Sequence, residues 1–203
     1  TLALVTTVGA HVTSYANTRL VGGPRYVYRI RANHAGGSSA PSSSVGTYTV
    51  PLAPTMTAAS ASDTQLNLTW TNVSGETNYV LQRSDDGLSG WTTVASPLVN
   101  VVGFNDTALT ADTNYSYRVV AHNASGDSAA SNVVTARTLL APVTGTTAIG
   151  VSTSEIDLSW TDTTGESGYR VERLSGTTWV LLGTTAADVH TFANTGLVAG
   201  TLY

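Results

Sequence analysis

Apolar and polar residues alternate along much of this chain. Leu66, Leu68 and Trp70 are separated by Asn67 and Thr69, and Tyr115, Tyr117, Val119 and Ala121 form a second series whose intervening residues include Ser116 and Arg118. Successive side chains of an extended strand point to opposite faces, so this period of two predicts strands with one buried face. Turn chemistry punctuates the series: "SDDGLSG" (84–90) and "NASGD" (123–127) place glycine beside Asp or Asn, where positive backbone angles cost least. No 3.6-residue helical pattern competes with the alternation. The apolar opening "TLALVTTVGA" (1–10) also reads as a strand, since it lacks the basic start of a signal peptide.

The pattern repeats. "LNLTWTNVSGETNYVLQRS" (66–84) returns 90 residues later as "IDLSWTDTTGESGYRVERL" (156–174), and 91–115 matches 179–203 at an offset of 88. Residues 12–43 stand 89 residues before the corresponding part of the middle copy, giving a period of about 89. Each full copy is expected to form an all-β sandwich of about seven short strands.

Several motifs stand in a fixed arrangement: a strand-B Trp, a strand-C "Y-x-[VL]-x-R", a Leu six residues before a Tyr, and "Y-x-[VI]-x-A-x-N-x-x-G-x-S". In this combination the chain resembles a tandem array of fibronectin type III domains, of the kind found in bacterial and archaeal extracellular repeat proteins. The resemblance covers the whole chain. It implies tandem immunoglobulin-like β-sandwiches, with Trp70 and Trp160 as the buried strand-B tryptophans and Tyr79 and Tyr169 as the strand-C tyrosines. Leu20 with Tyr26, Leu109 with Tyr115, and Leu197 with Tyr203 fall at three tyrosine corners, where the phenol hydroxyl bonds backbone a few residues upstream.

The Pro-containing junctions "VPLAP" and "LLAP" bound a complete domain at 51–139. Residues 1–50 then supply the C-terminal part of one repeat and residues 140–203 the N-terminal part of another. Two arrangements account for such partial copies: a window on a longer array, or chains that complete one another head to tail. The first is preferred, because residues 1–26 align with 178–203 and the two parts would bring the same hairpin.

Composition narrows the chemistry. Asp, Glu, Lys and Arg make up 11% of the chain, while Ser and Thr supply 55 of the 203 residues, so the water-facing strand surfaces are built from hydroxyls. There is no cysteine, and all nine basic residues are arginine. Disulfides, thiol nucleophiles, Schiff-base lysines and phosphate-loop lysines are therefore excluded within these residues. A net charge of -4 with arginines scattered singly argues against nucleic acid and anionic membrane surfaces as partners. No apolar run reaches membrane-spanning length, so no membrane insertion is expected of this segment.

The remaining candidate chemistry is sparse. His11, His34, His122 and His190 lack metal-ligand spacing, and His34 and His122 occupy nearly the same turn position in two copies. Asp85 and Asp86 suit either a calcium site or an Asp-Gly hairpin turn, and the turn is favoured. Trp91 and Trp179 stand at equal places after the same turn, which argues for a repeated packing role over a sugar-stacking platform. Asn67, Asn72, Asn105, Asn114 and Asn123 each head an N-x-[ST] sequon, with Asn123 better suited to shaping its turn than to carrying a glycan.

Neither catalytic residues nor a cofactor or metal site is expected. The predicted function is that of a non-enzymatic extracellular or cell-surface segment: a stalk, spacer or filament-forming protein whose partners are neighbouring repeats, with homo-oligomers, filaments and glycans as further candidates. The alternatives are an adhesin that binds carbohydrate or protein, and the linker region of a secreted glycoside hydrolase.

Overall fold

The computed structural model describes residues 3–203, and all of their regular elements are β-strands. The first copy contributes β1 (Arg25–Tyr28), β2 (Asn33–His34), β3 (Gly37–Ser38) and β4 (Val45–Tyr48). The middle copy contributes β5 (Met56–Ser60), β6 (Leu66–Trp70), β7 (Asn78–Ser84), β8 (Thr92–Ala95), β9 (Gly103–Asp106), β10 (Asn114–Asn123), β11 (Gly126–Asp127) and β12 (Val134–Arg137). The third copy contributes β13 (Thr144–Ser152), β14 (Glu155–Thr161), β15 (Arg170–Ser175), β16 (Thr178–Thr184) and β17 (Thr191–Thr195).

In the middle copy one sheet runs β5-β6-β9 and the other β11-β10-β7-β8, with β12 also paired to β10. The antiparallel β7–β10 ladder runs from Ser84 opposite Ser116 to Asn78 opposite His122. Its inward residues are the alternating ones of the sequence: Leu66, Leu68 and Trp70 on β6, Tyr79 and Leu81 on β7, and Tyr117, Val119 and Ala121 on β10 are all buried. Burying each Leu and Val side chain of this set stabilises the fold by about 1.5–3 kcal/mol. Trp70 meets Tyr79 of the opposite sheet with ring centroids 5.7 Å apart and planes tilted by 59°.

The third copy repeats this frame with fewer strands. Its first sheet is β13-β14-β17, and β15 and β16 form a separate hairpin. Trp160, Tyr169 and Val171 make the core, with Leu158, Leu182 and Phe192 packed against them. In the first copy β1 pairs with β4 and β2 with β3, leaving Ile30 76% exposed.

The chain forms two compact units, one of residues up to 57 with 68–104 and 115–135, the other of 58–67, 105–114 and 136–203. One expectation fails. Residues 3–10 form no strand, and Leu4, Val5 and Val8 are exposed. The equivalent segment of the third copy is β16, which is held by pairing with β15, and no described segment offers residues 3–10 such a partner. An alternating pattern becomes a strand only where a second strand takes up its backbone groups. Thr1 and Leu2, part of the same predicted strand, lie outside the described residues.

Candidate functional site

The most conspicuous side-chain constellation grows from the strand-C tyrosine. The Tyr79 hydroxyl donates to Asn72 Oδ1 at 2.6 Å and accepts the Val73 N–H at 3.1 Å. In the third copy the Tyr169 hydroxyl donates to Asp162 Oδ1 at 2.7 Å and accepts the Thr163 N–H at 2.7 Å. Trp160 packs edge-on against Tyr169, centroids 5.1 Å apart. Burial raises the Tyr79 phenol above its ordinary value, opposed by the Val73 N–H and reinforced by Glu76. Tyr169 is likewise raised, by burial and by its bond to Asp162.

A carboxylate completes each constellation. Glu76 accepts the Asn100 N–H at 3.1 Å, and Glu166 accepts the Asp188 N–H at 2.7 Å. Asn100 and Asp188 both adopt left-handed backbone angles, φ 62° and 61°. In the middle copy the polar ring closes by an amide pair, Asn72 Nδ2 donating to Asn100 Oδ1 at 2.8 Å. In the third copy both amides are replaced by acids, and oxygens of Asp162, Glu166 and Asp188 come within 4.8 Å of one another. Carboxylates of this kind are ligands for a hard divalent cation. Two of the three are already engaged as acceptors, and such acid clusters also occur without an ion. The sequence reading missed this cluster, although the repeat alignment that sets Asn72 against Asp162 and Asn100 against Asp188 contained the signal.

The tyrosine-corner residues fall as follows. Tyr26 accepts the Val21 N–H at 3.0 Å and Tyr203 accepts the Val198 N–H at 2.8 Å, each five residues upstream. Tyr115 is buried beneath the Arg83 guanidinium, 5.3 Å from its ring centroid, and Tyr203 stands in the same relation to Arg173 at 4.8 Å. Leu109 is buried and its N–H donates to the Thr64 carbonyl at 3.0 Å, as Leu197 does to Ser154 at 3.0 Å. Leu20 and Leu197 are half-buried.

The other candidates resolve individually. His34 Nδ1 accepts the Gly36 N–H at 2.9 Å, His122 Nδ1 lies 2.6 Å from Asp127 Oδ1, and His190 Nδ1 lies 3.2 Å from the Asp188 carbonyl. Each of these bonds is local to its own turn, and His11 sits in a turn with φ 65°. Asp86 accepts the Leu88 and Ser89 N–H groups, both at 2.8 Å, together with the hydroxyls of Ser84 and Ser89. These bonds, led by the two backbone donors, hold its carboxyl well below the usual carboxylate range. Asp86 therefore closes the loop, while Asp85 is exposed beside it.

One pair of candidates parts company. Trp91 and Trp179 do not share an environment: Trp91 is half-buried under the Arg118 guanidinium, 4.3 Å from its ring centroid, whereas Trp179 is 63% exposed. Among the described residues of the third copy no strand stands where β10 brings Arg118 over Trp91. The sequon residues also divide, with Asn123 shaping its turn as expected through the Ser125 N–H bonded to its Oδ1. Asn67, Asn72, Asn105 and Asn114 are exposed, but Asn123 is 1% exposed, and its Nδ2 donates to the carbonyls of Thr49 and Gly75. A glycan on that nitrogen is incompatible with this fold. An open cleft is lined by Thr110, Asp112, Pro142, Asp162 and Thr164.

Comparison with known proteins bears on this frame. Residues 51–137 match the fibronectin type III domain family, so that segment is a fibronectin type III domain. The chain is 32% identical over 234 residues to endoglucanase B of Cellulomonas fimi, an alignment that takes in 100% of this chain and 21% of that protein. It thus spans about a fifth of that relative's length. Among solved structures, it is similar to a two-domain fibronectin type III segment of chicken tenascin, at 20% identity and a TM-score of 0.47 over 72% of this chain and 85% of that one. It is also similar to a Fn3-like protein from Clostridium thermocellum, at 27% identity and a TM-score of 0.40 over 43% of this chain and 93% of that one.

Proposed function

We propose that this chain is a non-catalytic spacer segment of a secreted polysaccharide-degrading enzyme, holding other parts of that protein at a set separation. The observation that carries the reading is the alignment of the entire chain with 21% of endoglucanase B. The rest of such a protein has ample length for a catalytic part. The domain boundaries proposed are 1–50, 51–139 and 140–203, with the outer two contributing parts of neighbouring repeats, and the location proposed is extracellular. A surface of hydroxyls with few ions suits a segment that lies near neutral polysaccharide without binding ionic partners.

The alternative is a carbohydrate- or protein-binding module, for which an aromatic side chain such as Trp179 would serve as the stacking platform. A single pair of assays separates the two. The purified chain is incubated with soluble and insoluble β-glucans, and reducing ends and retained protein are measured. The spacer reading expects neither hydrolysis nor retention. Retention lost in Trp179→Ala would replace it with a carbohydrate-binding module, and reducing ends above background would make the segment catalytic.

A further inference from the structure

We propose that the Asn123-Ala124-Ser125-Gly126 turn is an intermodule docking site, whose ligand is the row of backbone carbonyls at the end of the preceding copy's last strand. β4 ends at Tyr48, and the carbonyls beyond a strand end require donors. Ser125 Oγ donates to the Tyr48 carbonyl at 2.6 Å, and Asn123 Nδ2 donates to the Thr49 carbonyl at 2.9 Å. The same Nδ2 donates to the Gly75 carbonyl at 2.9 Å, so one buried amide joins the preceding copy to the loop between β6 and β7. Asn123 Oδ1 meanwhile accepts the Ser125 N–H at 2.8 Å, which orients the amide. Both amide hydrogens and the acceptor are thus employed. The two polar residues of the N-x-S triplet, which from sequence mark a glycan acceptor, here make the clasp.

Main-chain fit closes the other side. Gly23 and Gly75 have φ values of 95° and 78°, and a Cβ on either would drive into backbone of the facing segment, the Ser74 carbonyl for Gly23 and the Gly23 carbonyl for Gly75. The 21–24 turn is itself tied to the strand end by Gly23 N–H to the Val50 carbonyl at 2.9 Å and Thr49 Oγ1 to the Val21 carbonyl at 2.8 Å. Pro51, whose φ is fixed, is buried at the junction. Because the clasp reads carbonyls, its ligand class is an extended strand end from any preceding module that presents two free carbonyls before a proline. A buried amide with every partner placed is costly to undo, since release strands its donors and acceptors. The consequence is a fixed angle between β4 and the β10–β11 turn.

Residual dipolar couplings of the full chain test this. In the native chain residues 25–48 and the β7 and β10 amides should fit one alignment tensor. Asn123→Asp keeps the acceptor for Ser125 N–H and removes both donors to the carbonyls, so it separates docking from turn shape. It should lower the degree of order of residues 25–48 at least two-fold relative to β7 and β10, whose couplings stay unchanged. Two tensors in the native chain, or one shared tensor in Asn123→Asp, would overturn the proposal. Should that variant unfold, Ser125→Ala carries the same test: a fall in the order of residues 25–48 supports the clasp and an unchanged shared tensor overturns it. The inference is independent of the spacer reading, which stands or falls on hydrolysis and retention.

Discussion

The Tyr79 hydroxyl donates to Asn72 Oδ1 across seven residues at 2.6 Å, and the bond ties the start of β7 to the loop that leads into it. The same oxygen accepts the Val73 N–H, so a single phenol holds two points of the loop. Removing the hydroxyl leaves the Val73 donor without this partner in a half-buried place. Tyr79→Phe is expected to destabilise the middle domain by about 1–3 kcal/mol, read as a shifted urea midpoint at unchanged slope. An unchanged midpoint would mean the bond contributes nothing net.

Both strand-C phenols are raised above the ordinary tyrosine value by burial. Above about pH 10 the unfolded chain releases its phenolic protons while the folded chain retains these two, so hydroxide favours unfolding. Their contribution is fully present below that pH and is lost as pH rises through the folded-state values. Tyr79 and Tyr169 are therefore expected to form tyrosinate only as near-ultraviolet circular dichroism collapses. Ionisation of both before any such collapse would contradict the assignment.

Asp86 titrates in the opposite sense. Its hydrogen bonds depress the carboxyl, so its contribution is present above the usual carboxylate range and is lost as pH falls through the lower folded-state value. The Leu88 and Ser89 amides should stay protected from exchange at about pH 4 and lose protection with further acidification. Asp86→Ala should abolish that protection at every pH. Protected Leu88 and Ser89 amides in the variant would show that the turn closes by other means.

The alternation at Leu66, Leu68 and Trp70 and at Tyr115 to Ala121 was legible because a strand with one buried face imposes a period of two on its side chains, and a buried face tolerates few exceptions. Trp91 shows where such reading stops: the arginine over its ring, Arg118, is carried on a strand distant in sequence. Residues 3–10 fail for the same reason, since pairing belongs to the partner as much as to the segment. Asn123 is instructive too. Its triplet is a local signal, whereas its partners Thr49 and Gly75 lie 74 and 48 residues away.

The acid-for-amide exchange between copies gives a last expectation. Asn72 and Asn100 attract one another through an amide hydrogen bond, while Asp162 and Asp188, at the same two places, oppose one another as anions beside Glu166. Asp188 also occupies a left-handed conformation, φ 61°, that Asn tolerates equally well. Asp188→Asn thus removes one charge, supplies an amide donor toward Asp162, and keeps both the backbone geometry and the N–H bonded to Glu166. It should raise the thermal midpoint of the third copy's transition by a degree or more, followed through the fluorescence of Trp160, whose indole packs on Tyr169. The gain should shrink as salt is added, because screening weakens the repulsion that the substitution relieves. A midpoint that falls, or a gain indifferent to salt, would show that the three carboxylates do not strain this loop.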